Sequence, residues 1–178
     1  MLEEIKIPKE RIAVLIGEKG ETKRKIQRLT NTKIQINSKE GDVSIESEDS
    51  LNVLIVKNII KCIGRGFNPE IALELLKENF TMDIINILDF AGKSRNSEER
   101  LRSRIIGTRG KAKRTFENMT NTNISVYGKT ITIIGIQEDV YLAKRGIEII
   151  LNGAPHSHAY RWIEKQKKSE EEYKENVI

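Results

Sequence analysis

The stretch Ile16-Gly17-Glu18-Lys19-Gly20-Glu21-Thr22-Lys23-Arg24-Lys25-Ile26 is written a second time 90 residues later, as Ile106-Gly107-Thr108-Arg109-Gly110-Lys111-Ala112-Lys113-Arg114-Thr115-Phe116. Each copy runs on into a matching tail, Leu29-Thr30-Asn31-Thr32-Lys33-Ile34 and Met119-Thr120-Asn121-Thr122-Asn123-Ile124. A single Gly-x-x-Gly carries almost no information. Two of them inside matched flanks mark an internal duplication, so the 178 residues read as two small domains rather than one large one.

The same order of elements is expected around each loop. Ile5 and Ile7 suggest a short strand, and Pro8 suits the first turn of a helix over residues 9–16. After the glycine loop a second helix reaches about Leu29. Alternation in Lys33-Ile34-Gln35-Ile36-Asn37 predicts a strand, a turn covers 38–42, and Val43 and Ile45 continue a third strand. Asp49 or Ser50 caps a long helix whose Leu51, Leu54, Ile55, Ile59 and Cys62 recur at helical spacing. Gly64-Arg65-Gly66 closes it, and Asn68-Pro69 opens an apolar connector through Ile71, Leu73, Leu75 and Leu76. The second copy is expected as a strand over Met82–Phe90, a loop from Ala91 to Asn96, a helix starting at Ser97, the loop at 107–110, a helix over 111–119, strands at Asn123–Tyr127 and Thr130–Ile134, and a helix from about Glu138 to Leu151. Gly153-Ala154-Pro155 breaks the chain before a short docking helix with Tyr160 and Trp162, and the charged end is a solvated helix extension or disordered.

Net charge is +5 and the isoelectric point about 9.2, a small excess that matters only where it is clustered. It is clustered at the loops. Arg100, Arg102, Arg104, Arg109, Lys111, Lys113 and Arg114 surround the second against Glu98 and Glu99. Lys9, Arg11, Lys19, Lys23, Arg24, Lys25 and Arg28 surround the first, diluted by Glu10, Glu18 and Glu21. The second loop is therefore expected to carry the stronger positive potential. One cysteine, Cys62, excludes an intrachain disulfide and any multi-cysteine metal site. No apolar run is long enough to span a bilayer, and the Met1-Leu2-Glu3-Glu4-Ile5 start lacks signal-peptide design, so a cytoplasmic protein is expected.

Paired glycines between two helices allow a tight turn and bring backbone close to a ligand, while the following helix start favours a phosphate. Lys19 and Arg109 at the third loop position, and Lys23, Arg24, Lys113 and Arg114 beyond, are candidate phosphate contacts. Ile16, Ile34 and Ile36, or Ile106, Ile124 and Val126, are candidate floors for bases. Such a groove suits unpaired strands.

The order strand, helix, helix, strand, strand, helix, with Ile-Gly-x-x-Gly between the first two helices, resembles the KH domain. Tandem copies resemble a narrower group, the partner-of-Nob family of small ribosomal subunit assembly factors. The residues behind that are Gly-x-x-Gly-x-x-Lys-Arg and Thr-Asn-Thr-x-Ile in both copies, Gly64-Arg65-Gly66-Phe67, and Gly153-Ala154-Pro155-His156-Ser157. Many KH domains have an apolar residue where Lys23 and Lys113 stand, and this departure is itself like the assembly factors. Two intact loops look archaeal. The resemblance covers roughly residues 5–165 and implies an α+β fold of two tandem type I KH domains, each β-α-α-β-β-α with a three-stranded antiparallel sheet on three helices, plus a C-terminal helix. The expected division is 1–66, a connecting helix at 67–80, 81–153, and 154–178.

The resemblance further implies RNA binding at the single-stranded 3′ end region of 16S-type rRNA, with a Nob-type endonuclease and the alpha subunit of initiation factor two as partners. The stronger site is expected at Arg104, Ile106, Gly107, Thr108, Arg109, Gly110, Lys111, Lys113, Arg114, Ile124 and Val126. The weaker one is Ile16, Gly17, Glu18, Lys19, Gly20, Lys23, Arg24, Ile34 and Ile36, where protein docking competes with RNA. No nucleophile, base and orienter set is recognisable, and His156 and His158 lack a third ligand, so no enzyme, metal or cofactor is expected. The alternative is an adaptor for a maturation nuclease or initiation factor, with RNA binding secondary. A KH subunit of an RNA-degrading complex fits less well, since no small β-barrel segment is present.

Overall fold

The computed structural model describes residues 1–92 and 94–177. The expected loop at Ala91–Asn96 includes Lys93, and the charged tail ends in Ile178; both of these residues lie outside the described ones. The chain divides into two compact units, Met1–Phe80 and the remainder from Thr81.

The first unit runs β1 (Leu2–Lys6), α1 (Lys9–Ile16), α2 (Glu21–Thr30), β2 (Lys33–Asn37), β3 (Asp42–Glu46) and α3 (Ser50–Gly64), followed by a short α4 (Pro69–Ala72) and a 3-10 turn at Leu73–Leu76. Its sheet has the order β1-β3-β2, antiparallel throughout, with Ile34 opposite Ile45 and both Ile5 and Ile36 opposite Val43. Ile34, Val43 and Ile45 of the sheet and Ile12, Leu15 and Ile26 of the helices are all buried. Asp49 caps α3 by accepting the Leu51 amide at 2.9 Å.

The second unit repeats this as β4 (Phe80–Asn86), α5 (Leu88–Ala91), α6 (Arg95–Ile106), α7 (Lys111–Thr120), β5 (Asn123–Tyr127), β6 (Thr130–Ile136) and α8 (Gln137–Leu151), then adds α9 (His156–Val177). Sheet order is β4-β6-β5, with Ile124 opposite Ile133 and Val126 opposite Ile131. Phe116, Ile105, Ile147, Ala159 and Ile163 share one core, so the start of α9 is part of the unit.

The Thr-Asn-Thr motif is a helix stop. Asn31 and Asn121 adopt left-handed backbone (φ +49° and +51°), which asparagine tolerates where a helix must end. Around each, a buried threonine hydroxyl donates to the carbonyl four residues back, Thr30 to Ile26 at 2.8 Å and Thr120 to Phe116 at 2.7 Å. Each also meets the next threonine, Thr32 or Thr122.

Several sequence expectations need correction. α3 buries Val53, Val56, Ile59, Ile60, Cys62 and Ile63, whereas Leu51 and Leu54 face outward at 60 % and 54 % exposure. The helix is apolar on nearly every side, so periodicity alone cannot set its phase. β4 ends at Asn86 because that side chain accepts the Leu88 amide and turns the chain into α5. α6 starts earlier than expected because Ser94 accepts the Ser97 amide as its cap. After Pro155 the docking helix runs on through the charged end as one 22-residue helix, which is the first of the two forms expected for that end.

Candidate nucleic-acid interface

Both glycine loops adopt the same conformation. The first glycine has φ +73° and ψ 174° at Gly17 and φ +71° and ψ 174° at Gly107, a region open only to glycine. A Cβ there would lie 2.3 Å from Thr22 Oγ1 and 2.8 Å from the Thr22 amide nitrogen in the first copy. In the second it would lie 2.7 Å from both Ala112 Cβ and the Ala112 amide nitrogen. The close approach of loop to helix is thus as important as the φ angle. Lys19 and Arg109 follow in left-handed backbone (φ +49° and +52°), which sets both side chains at the exposed apex.

The amides of Gly110 and Lys111 turn back onto Gly107 O and Thr108 O, and those of Gly20 and Glu21 onto Gly17 O and Glu18 O. These amides hold the turn, leaving side chains to supply the outward positive charge. Arg24 and Arg114 fold over the second glycine, each Nη1 within 3.1 or 3.2 Å of where a Cβ would stand. Glu18, Thr108 and Lys111 are exposed; Ile16 and Ile106, which directly precede the loops, and Ile36 on β2 and Val126 on β5 are half-buried.

Three expected contacts have other positions or duties. Ile34 and Ile124, 1 % and 2 % exposed, belong to the core and offer no surface to a base. Arg104 donates from Nη1 to Ile150 O (3.0 Å) and from Nη2 to Ala154 O (2.6 Å), so its guanidinium caps the end of α8. His156 answers this by donating from Nε2 to Arg104 O at 2.8 Å. Among the described residues, no group of three or more His, Cys, Asp or Glu is placed to hold a metal ion, and no helix is long and apolar enough to cross a membrane. Burial pushes the Cys62 thiol up to about 12, so it stays protonated in the core.

The residues overlooked in the sequence are Gln27 and Glu117. Gln27 Oε1 accepts the Ile34 amide and Glu117 Oε1 the Ile124 amide, both at 2.8 Å, joining the second helix of each unit to the neighbouring strand. Glu117 also holds Lys113 at 3.0 Å, whereas Lys23, at the matching place beside neutral Gln27, forms no ion pair among the described residues. Superposing the two repeats would have exposed the pair, since both stand seven residues before the strand isoleucine.

Comparison with known proteins agrees with this geometry. Residues 81–168 match the family described as eukaryotic type KH-domain (KH-domain type I), in the form of the second KH domain of PNO1, and residues 2–62 match the KH domain. The chain is 42% identical over 170 residues to a KH domain-containing protein of Methanocaldococcus jannaschii, covering 93% of this chain and 74% of the relative. RNA-binding protein pno1 of Drosophila pseudoobscura pseudoobscura is 30% identical over 132 residues, which span 56% of its length. Among solved structures, Dim2p from Pyrococcus horikoshii OT3 superposes with TM-score 0.85 at 44% identity, covering 93% of this chain and 99% of that one. The complex of a/eIF2alpha, aDim2p and rRNA from the same organism matches with TM-score 0.87 at 44% identity, over 95% of each chain.

Both units follow the β-α-α-β-β-α order, the second with the one-turn α5 inserted after β4, and each carries a glycine loop between the two helices that precede its second strand; this makes the chain a tandem type I KH protein, a class that grips single-stranded nucleic acid through the loop. Within that class the chain belongs to the PNO1/Dim2 family of KH-domain RNA-binding proteins.

Proposed function

We propose that this chain is a non-catalytic cytoplasmic factor that holds the single-stranded 3′ end region of small-subunit rRNA during ribosome biogenesis. The loop at 107–110 is the principal contact. The observation that carries the proposal is that loop itself: a glycine turn with Arg109 at its apex, Arg114 folded over it and no carboxylate within it. The rRNA complex of the Pyrococcus relative supports the choice of RNA.

Replacing Thr108 and Arg109 by Asp puts negative charge at the phosphate path and keeps both glycines. Affinity for a 3′-end rRNA oligonucleotide should fall about 100-fold, in line with ~1–3 kcal/mol for each contact removed. An unchanged affinity in a folded variant sinks the assignment.

A second reading concerns the first unit, as a docking site for the alpha subunit of initiation factor two or a Nob-type endonuclease. Leu2, Leu51 and Leu54 are 63 %, 60 % and 54 % exposed. Leu51 and Leu54 stand three residues apart and share one exposed face of α3, whereas Leu2 lies on the opposite face of β1 from Glu3, whose carboxylate meets Lys57 of that helix. The exposed apolar pair on α3 suits a protein better than RNA. Pull-down from cells with and without nuclease separates the readings: partners held through protein contact persist after RNA is digested, and those bridged by RNA disappear.

A further inference from the structure

On the flank of the second loop, a cleft of about 510 Å³ opens between α6, α7 and α9. Gly107 and Thr108 form one rim, so the cleft continues from the loop, but no β5 residue lines it. It is shallow and open to solvent.

Three features give it a chemical direction. Every titratable side chain lining it apart from the tyrosine is a base, including exposed Arg100 and Lys111; no carboxylate takes part. Ala112 and Tyr160 provide apolar wall, and the Tyr160 ring is held edge-on by Phe116 at 5.3 Å and 63°. Burial also raises the Tyr160 phenol above its ordinary range, so it remains a neutral ring with a hydroxyl. The cleft is preformed, because Arg104 caps α8 while His156 bonds back to Arg104 O, fixing the start of α9 against α6.

A neutral aromatic ring among unopposed cations, opening from a phosphate-binding turn, matches one occupant well: an unpaired nucleotide, its base against the ring and its phosphate toward the cations. We propose that this α6–α7–α9 cleft is a second nucleotide site, which takes one further nucleotide of the strand that crosses the loop at 107–110. The proposal rests on the reading of that loop as an RNA contact. It assigns α9 a role in binding that α4 and the turn at Leu73–Leu76, which follow the first copy, do not share.

The test uses the full chain and two sets of 3′-end rRNA oligonucleotides: a short one that fills the loop groove, and versions extended by two nucleotides at the 5′ or the 3′ side. One extension should raise affinity about tenfold, the scale of one base stacked on an aromatic ring. Tyr160→Leu and Arg100→Gln should each abolish most of that gain and leave short-oligonucleotide affinity within about twofold, while Tyr160→Phe keeps the gain. Thermal melting identifies any variant that fails to fold; Arg100 is exposed, so its variant keeps the test decisive even if Tyr160→Leu melts early.

The cleft assignment is overturned if neither extension adds affinity, or if the gain survives both Arg100→Gln and Tyr160→Leu. It is equally overturned if Arg100→Gln weakens short and long strands alike, which is a general field effect, or if it disturbs only protein capture. In each case the loop reading stands provided Thr108→Asp with Arg109→Asp still abolishes binding. Loss of that effect instead sinks the loop reading itself.

Discussion

The two glycine loops share a backbone and a net charge, yet they differ in where the negative charge sits. Residues 17–30 hold Lys19, Lys23, Arg24, Lys25 and Arg28 against Glu18 and Glu21, and residues 107–120 hold Arg109, Lys111, Lys113 and Arg114 against Glu117, so each segment carries +3. In the first unit both carboxylates lie in or next to the turn. In the second the single carboxylate is drawn two turns down α7, where it accepts the Ile124 amide and holds Lys113. Charges separated by more than about 8–10 Å are largely screened at physiological salt, so the place of the acid outweighs the total. The second loop presents its apex cation without opposition, and it does so by spending Lys113 elsewhere.

The shared backbone can be broken first, with the largest effect. Gly107→Ala and Gly17→Ala each force an alanine into a region of backbone it avoids and drive Cβ against the amide nitrogen of Ala112 or Thr22, which has no room to move. Each should destabilise its unit by about 3 kcal/mol, seen as a melting shift of ~10–20 °C. Gly110→Ala and Gly20→Ala should cost only about 1 kcal/mol. Their φ and ψ lie in the ordinary left-handed region, and the nearest atom is a mobile Arg114 or Arg24 guanidinium. Equal losses at first and second glycines would show that φ, not close approach, sets the cost.

A smaller effect tests an equivalence the sequence hides. In the first unit Arg11 donates to Ile63 O and Phe67 O, both at 2.8 Å, and in the second Arg104 donates to Ile150 O and Ala154 O. The acceptors correspond, yet Arg11 stands six residues before its glycine loop and Arg104 only three, one helical turn apart. Duplication preserved the need for a donor at the end of the third helix without preserving the residue. Arg11→Ala and Arg104→Ala should each destabilise by ~2 kcal/mol, measured by denaturant unfolding. Arg104→Ala should change affinity for the short oligonucleotide that fills only the loop groove by less than about threefold once the protein is folded. A loss as large as that at Arg109 would return Arg104 to the binding surface.

These cases mark what the chain's letters could and could not reveal. Loop positions and the repeat of elements are local, each set by a few neighbouring residues, and they are legible; Thr-Asn-Thr shows in the sequence as a repeated motif, but its work as a helix stop does not. Ile34 and Ile124 looked like groove residues because alternation names a face of a strand without saying whether a helix covers it. Leu51 and Leu54 misled for a related reason, since an all-round apolar helix has no readable phase. Arg104 was counted as free charge because its partners are carbonyls 46 and 50 residues away, a distance over which spacing says nothing.

The subtlest prediction exchanges the one difference that separates otherwise matched helices. Glu117→Gln gives the second unit the side chain of the first; glutamine can still accept the Ile124 amide, as Gln27 accepts that of Ile34 at 2.8 Å, so stability should move by less than about 1 kcal/mol. Lys113 loses its ion-pair partner and α7 gains one net positive charge. Affinity for the rRNA oligonucleotide should rise about threefold to tenfold, and the slope of log affinity against log salt should steepen by up to ~0.7, the value of one further phosphate contact on a single strand. Gln27→Glu should place Lys23 under the same restraint and lower whatever RNA affinity the isolated loop variant of the second unit retains. If Glu117→Gln alters neither affinity nor slope while Thr108→Asp with Arg109→Asp remains fatal, Lys113 lies off the phosphate path. The two sites would then differ through the residues of the turn alone.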